Sequence, residues 1–150
     1  MGSRPIRRIL YATDYSESSV PAGDYAVTIG RMAGAELHVL HVIGEFADKR
    51  QSMIQPEAMV LLEREVEKQA IREMETFCRE RFGDGIPYRS EVLVGLPFEV
   101  IMQRAESLPA DLIVVGTHGR TGLERVFVGS TAERLVRRSK IPVLTVRGAG

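Results

Sequence analysis

Asp111-Leu-Ile-Val-Val-Gly116-Thr-His118-Gly119-Arg120-Thr-Gly-Leu-Glu-Arg-Val-Phe-Val-Gly129-Ser130-Thr131-Ala-Glu133-Arg-Leu-Val-Arg-Arg-Ser-Lys140 reads as strand, glycine-rich loop and helix. Leu112 to Val115 is an unbroken apolar, β-branched run, the pattern of a strand covered on both faces in a parallel sheet. It stops at Gly116. Gly116 and Gly119 permit backbone torsions and close approaches that a Cβ forbids, and Gly129-Ser130 opens a helix nine residues further on. A helix start exposes unpaired N–H groups and partial positive charge, so a loop running from a buried strand into one suits an anion such as phosphate. The same residues also read as an ordinary capping box, Ser130-Thr131-Ala132-Glu133, in which Ser130 and Glu133 satisfy each other's backbone N–H groups. A cap leaves Gly116, Gly119, His118 and Arg120 unexplained.

On either side of this stretch the chain alternates. Arg8 to Ala12 is a strand, and Thr13-Asp14-Tyr15-Ser16 turns off its end, with Ser16 a candidate N-cap and Gly34 the stop of the helix that follows. The apolar positions Ala22, Tyr25, Ala26, Ile29, Met32 and Ala33 form one face of that helix. Leu37 to Val42 is the second strand, on which His38 and His41, three apart, face opposite ways and have no shared metal to bind. From Pro56 a long helix carries the stripe Met59, Leu62, Val66, Ala70, Met74, Phe77 and Cys78 toward the core. Tyr88 to Val94 alternates as a strand near a sheet edge, with Arg89 and Glu91 toward water. Gly95-Leu96-Pro97 starts a third helix with Phe98, Ile101, Met102 and Ala105 buried, and Pro142 introduces a last strand, Val143 to Val146.

Five strands and four helices in alternation predict an α/β fold, an open five-stranded parallel sheet with helices on both faces. Ligands in such sheets bind beyond the carboxyl ends of strands where the strand order reverses. The turns after strands one, two and four converge when the order is 3-2-1-4-5. The flavodoxin-like order 2-1-3-4-5 separates strand one from strand four.

The 150 residues fit a single domain with a core of its own, and 44% apolar with 27% charged residues is ordinary for a soluble protein. Twenty basic and twenty acidic side chains balance, leaving no field to attract nucleic acid or an anionic membrane. The single Cys78 falls on the core stripe as an inert thiol and fits a reducing, cytoplasmic setting; no apolar run reaches membrane-spanning length.

The pattern Gly116-x-x-Gly119, nine residues, Gly129-Ser130 is similar to the nucleotide-binding signature of the universal stress proteins, in the subgroup that binds ATP. The resemblance extends to Ile9-Leu10-Tyr11-Ala12-Thr13-Asp14-Tyr15-Ser16, Leu40-His41-Val42, Gly95-Leu96-Pro97 and Ile141-Pro142-Val143-Leu144-Thr145-Val146. It implies a Rossmann-like nucleotide site, a role in the stress response, and a homodimer formed through the edge strand Val143 to Val146. By their chemistry Gly119, Gly129, Ser130 and Thr131 are expected to offer N–H groups and hydroxyls to phosphate, with Arg120 adding charge and Gly116 letting backbone approach the ribose. Ala12, at the end of strand one, and Thr13, in the turn after it, are expected among the nucleotide-binding residues. Asp14 repels phosphate, so it either faces base or sugar, reaches a Mg²⁺ held by the phosphates, or simply caps the first helix. Val42 offers backbone groups to adenine, as the resemblance implies; His118 either touches phosphate or packs in the loop.

No Walker lysine motif, no G-x-G-x-x-G and no catalytic triad or carboxylate pair is recognisable, which points to binding with at most slow ATP hydrolysis. Two other readings remain. A receiver domain wants its phospho-accepting Asp at the end of strand three, where this chain has Val94-Gly95. A nucleotide-independent dimeric scaffold predicts an empty crevice.

Overall fold

A computed structural model describes residues 2–47, 54–117 and 129–148. The chain alternates β1 (Arg8–Ala12), α1 (Val20–Ala33), β2 (Glu36–Ile43), α2 (Pro56–Arg81), β3 (Tyr88–Val94), α3 (Pro97–Ser107), β4 (Leu112–Gly116), α4 (Ser130–Arg138) and β5 (Val143–Val146). The strands form one parallel sheet in the order β3-β2-β1-β4-β5, as the convergence of the three turns required.

β1 and β4 lie at the centre, with Leu10 opposite Ile113 and Tyr11 opposite Val114, all four without solvent exposure. Strand residues alternate between faces, so the core divides in two. On one side Ile9, Tyr11, Leu37, Val39 and Val114 pack with residues of α1 and α2, including Ala26, Met74 and Cys78. On the other, Leu10, Leu40, Ile113 and Val115 pack with Ile101 and Ala105 of α3 and Leu135 of α4.

Three details differ from the sequence expectations. The buried face of α1 is Ala22, Gly23, Ala26 and Gly30, while Tyr25 and Met32 are exposed. The reason is the sheet beneath: the ring of Tyr11 lies 3.0 Å from where a Cβ on Gly23 would sit, so the closest approach is left to the smallest residues, and Val27 and Ile29 pack at its flank half-buried. On α2 only Ala70, Met74 and Cys78 of the stripe are fully buried, and Leu62 is exposed. A helix of 26 residues spans about 39 Å, against about 23 Å for the 7 residues of β3, so its first turns run past the sheet. Glu91 does not simply face water. Its Oε2 accepts from Arg104 Nε at 2.9 Å and lies 3.0 Å from Nε2 of the buried His38.

β3 passes into α3 through Gly95, whose φ of +154° disfavours side chains and whose added Cβ would meet Val100 Cγ2 at 2.7 Å. The cation of Arg134, 4.2 Å above the Phe98 ring, joins α4 to α3.

Burial pushes the Cys78 thiol from an ordinary 9.0 up to about 11. The folded state favours the protonated thiol, so this contribution to stability is complete below pH 9.0 and lost as pH climbs through about 11. At about pH 8, labelling by dithionitrobenzoate should be at least about a hundredfold slower in the native protein than in urea. Equal rates would place Cys78 outside the core.

Candidate functional site

At the carboxyl edge of the sheet, where the chain leaves β1 toward β2 on one side and β4 lies on the other, a cavity of about 300 Å³ opens. Ala12, Thr13 and Asp14 enter it from the end of β1, Leu40, His41 and Val42 from β2, and Val115, Gly116 and Thr117 from β4. The start of α4 contributes Gly129, Ser130, Thr131 and Ala132, while Pro97 and Ile101 of α3 and Ser19 complete the lining. Eight residues singled out in the sequence therefore come together: Ala12, Thr13, Asp14, Val42, Gly116, Gly129, Ser130 and Thr131. His118, Gly119 and Arg120 lie outside the described residues.

The capping box does not form. Gly129, not Ser130, occupies the N-cap position, no side chain caps α4, and the Glu133 carboxylate pairs with Arg137 at 3.2 Å. The physical reason is a backbone bond: the Gly129 N–H donates to the Thr117 carbonyl and so ties the helix start to the end of β4. This also corrects the expectation that Gly129 offers its own N–H to a ligand. Glu133 closes the first helical bond on the Gly129 carbonyl at 3.0 Å. The N–H groups of Ser130, Thr131 and Ala132 then have no carbonyl one turn back within the helix, and all three residues line the cavity.

Opposite, the turn after β1 is held on all sides. Thr13 N–H continues the ladder to the Leu40 carbonyl at 2.9 Å, and its Oγ1 lies 2.8 Å from Ser19 Oγ while accepting from Tyr15 N–H at 3.0 Å. His41 Nδ1 donates to the Thr13 carbonyl at 2.8 Å, which assigns the proton to that nitrogen. Asp14 Oδ1 accepts from the N–H of Ser16 at 3.0 Å and from its hydroxyl. Asp14 thus organises an Asx turn, and Ser16, expected as an N-cap, makes no capping bond from its side chain. A short 3-10 turn, Glu17–Ser19, intervenes before α1. Beneath it, burial pushes the Tyr11 hydroxyl pKa up, and the protonated group donates to the Ser19 carbonyl at 2.7 Å.

Tyr15 adopts φ +66°, and it is the one non-glycine with positive φ among the described residues. For a bulky side chain this costs on the order of 1–3 kcal/mol, and such strain collects at functional sites.

The lining is apolar toward α3 (Leu40, Ile101, Val115) and polar toward α4 and the β1 turn (Thr13, Asp14, Ser130, Thr131). Such a division suits a ligand with a flat apolar part and an anionic tail. Ser19, Leu40, His41, Pro97, Ile101, Val115, Thr117 and Ala132 were not anticipated as lining residues. Leu40, His41, Val115, Thr117 and Ala132 stand on the strand ends or helix start already singled out, so adjacency was a legible signal for them; Ser19, Pro97 and Ile101 reach the cavity only through packing.

An open doubly wound parallel sheet with a crevice at its point of strand reversal defines a Rossmann-like α/β protein. The chain belongs to the universal stress protein family, whose model matches residues 5–147. Universal stress protein MJ0531 of Methanocaldococcus jannaschii is 32% identical over 152 residues, covering 97% of this chain and 85% of that relative. Universal stress protein MJ0577 of the same organism is 29% identical over 153 residues, covering 94% of each. The solved structure of MJ0577 matches with a TM-score of 0.85 at 30% identity, over 98% of this chain and 99% of that one. A more distant structure, the universal stress protein from Archaeoglobus fulgidus in complex with dAMP, shares the fold at TM-score 0.66 and 19% identity, over 96% of this chain and 100% of that one.

Gly129 has φ −56° and ψ 150°, torsions that a β-branched residue accepts. Gly129→Val should therefore fold while placing a branched side chain at the mouth of α4, and should weaken an anionic ligand at least about tenfold, about 1.4 kcal/mol. Calorimetry on the folded variant checks this. Unchanged affinity would remove the α4 start from the site.

Proposed function

We propose that this universal stress protein binds an adenine nucleotide, ATP by its glycine signature, in the crevice between β1, β4 and α4. The supporting observation is the open start of α4, uncapped by any side chain and directed at the cavity by the bond from Gly129 to Thr117. The N–H groups of Ser130, Thr131 and Ala132, with the Ser130 and Thr131 hydroxyls, hold the phosphates. Gly119 and Arg120, outside the described residues, are expected by their chemistry to join them, and Gly116 admits the ribose. Val42 presents backbone groups to the adenine edge, and Leu40, Ile101 and Val115 cover its faces. The dAMP of the Archaeoglobus relative is likewise an adenine nucleotide.

Asp14 faces the sugar or a Mg²⁺ carried in with the phosphates. Among the described residues no group of three or more His, Cys, Asp or Glu is placed to hold a metal ion, so such a Mg²⁺ takes most of its ligands from phosphate oxygens and water. The sequence carries no recognisable catalytic motif, and the reading is a nucleotide-dependent regulatory protein of the cytoplasm with little or slow hydrolysis. No helix among the described residues is long and apolar enough to cross a membrane.

Mass spectrometry of the small molecules released on denaturing freshly purified protein is expected to find ATP, with titration restoring it to the emptied protein. Failure of both, in a protein that is still folded, would favour a nucleotide-independent scaffold.

The homodimer belongs to the same proposal. Among the described residues β5 pairs on one side only, with β4, and no strand pairs with its other edge. Ile113 and Thr117 donate to the carbonyls of Pro142 and Val146, so by alternation Val143 and Thr145 turn their backbone groups outward. An unpaired apolar edge is a template for a second copy about a twofold axis. Light scattering should give a dimer at micromolar concentration, and Thr145→Pro, which removes an outward N–H and spares the inner ladder, should give a folded monomer. A monomeric wild type would end this part of the proposal and leave the nucleotide site intact.

A further inference from the structure

Tyr15 spends conformational strain beside Asp14, and four contacts hold it there. Its N–H donates to Thr13 Oγ1 at 3.0 Å, its ring centroid lies 4.3 Å from that of His41 and 5.7 Å from that of Phe77, and its hydroxyl donates to the Ala70 carbonyl of α2 at 2.8 Å. The left-handed turn at Tyr15 brings the Ser16 N–H back onto Asp14 Oδ1, and the Ser16 hydroxyl follows. A side chain released from α2 would relax toward ordinary torsions and carry Ser16 away from Asp14 Oδ1. The His41 ring that stacks on Tyr15 also holds the Thr13 carbonyl, so one aromatic pair bears on Thr13 and Asp14, two of the three residues that the end of β1 sends into the cavity.

We infer that Tyr15 is a positioning residue: anchored on α2 by its hydroxyl, it sets the Asp14 carboxylate for the bound nucleotide and couples occupancy of the crevice to α2. This rests on the nucleotide reading above and deepens it. Tyr15 touches no ligand in this scheme. It does not line the cavity, whereas Asp14 does.

The anchor is one hydrogen bond to a backbone carbonyl, so Tyr15→Phe, which keeps the ring and the packing, should weaken ATP about fivefold, and Tyr15→Ala about tenfold or more. A residue that merely stabilises the fold lowers the melting temperature and leaves the affinity of the folded fraction alone. A double-mutant cycle with Asp14→Asn, titrated with ATP to millimolar concentration, separates the two roles. If Tyr15 acts through Asp14, Tyr15→Phe should change affinity less than about twofold in the Asp14→Asn background. Hydrogen exchange is the second arm, and it requires no binding by the Asp14 variant. ATP should raise protection in α2 around Ala70 to Met74 in the wild type, and this gain should vanish in Tyr15→Phe. A folded Tyr15→Phe protein with wild-type affinity, an equal loss in both backgrounds, or protection in α2 that ATP leaves unchanged in the wild type would each overturn the inference with nucleotide binding intact. A wild type that binds no ATP would overturn the nucleotide reading and this inference together.

Discussion

The pairing of β1 with β4 is the constraint from which the site follows. Ile9 to Ala12 lies against Leu112 to Val115, and most of these side chains are fully buried. A parallel sheet buried on both faces needs a layer of helices on each, and right-handed crossovers supply them. Because β2 and β3 lie to one side of β1 while β4 and β5 lie to the other, the crossovers that follow β1 and β4 diverge to opposite faces. The sheet is left open at its carboxyl edge between them. No side chain had to be evolved to make that gap.

What makes the gap chemically particular is the treatment of its two rims. On the α4 rim, a backbone bond from Gly129 to Thr117 anchors the helix start without engaging the next N–H groups, which no side chain caps. On the β1 rim, polar groups are bound to one another through Thr13, Asp14, Ser16 and Ser19. One rim is a donor surface without partners among the described residues; the other is a rigid polar network. An anion with a hydroxylated, partly apolar body complements both, and this is the physical content of a nucleotide reading.

The helices reflect the same economy of contact. α1 presses Ala22, Gly23, Ala26 and Gly30 against the sheet because the Tyr11 ring leaves no room for more. α2 is longer than the sheet it covers, and its buried part, around Ala70, Met74 and Cys78, is the part from which the Tyr15 hydroxyl takes its acceptor. α2 thus meets the turn after β1 at Tyr15, through the Ala70 carbonyl and the Phe77 ring.

Element order, the buried strand Leu112 to Val115, the helix stops, and the convergence of Ala12, Thr13, Asp14, Val42, Gly116 and Ser130 were legible in the sequence. They depend on periodicity, on glycine and proline, and on the topology that brings the three strand ends together. These are local signals or consequences of connectivity. The inward face of α1 was legible in part: Ala22, Ala26 and Ile29 do meet the core, whereas hydrophobicity also favours Tyr25 and Met32, and the space beneath the helix gives their place to Gly23 and Gly30. The sequence Ser-Thr-Ala-Glu at 130–133 determines that a helix starts there, but a carbonyl at Thr117, distant along the chain, determined that Gly129 caps it. In the same way Glu91 read as solvated until His38 and Arg104 were placed around it. Local propensity sets the elements; only tertiary contact decides which donors are satisfied within the fold and which remain for a ligand, because a hydrogen bond's partner is chosen by distance in space and not along the chain.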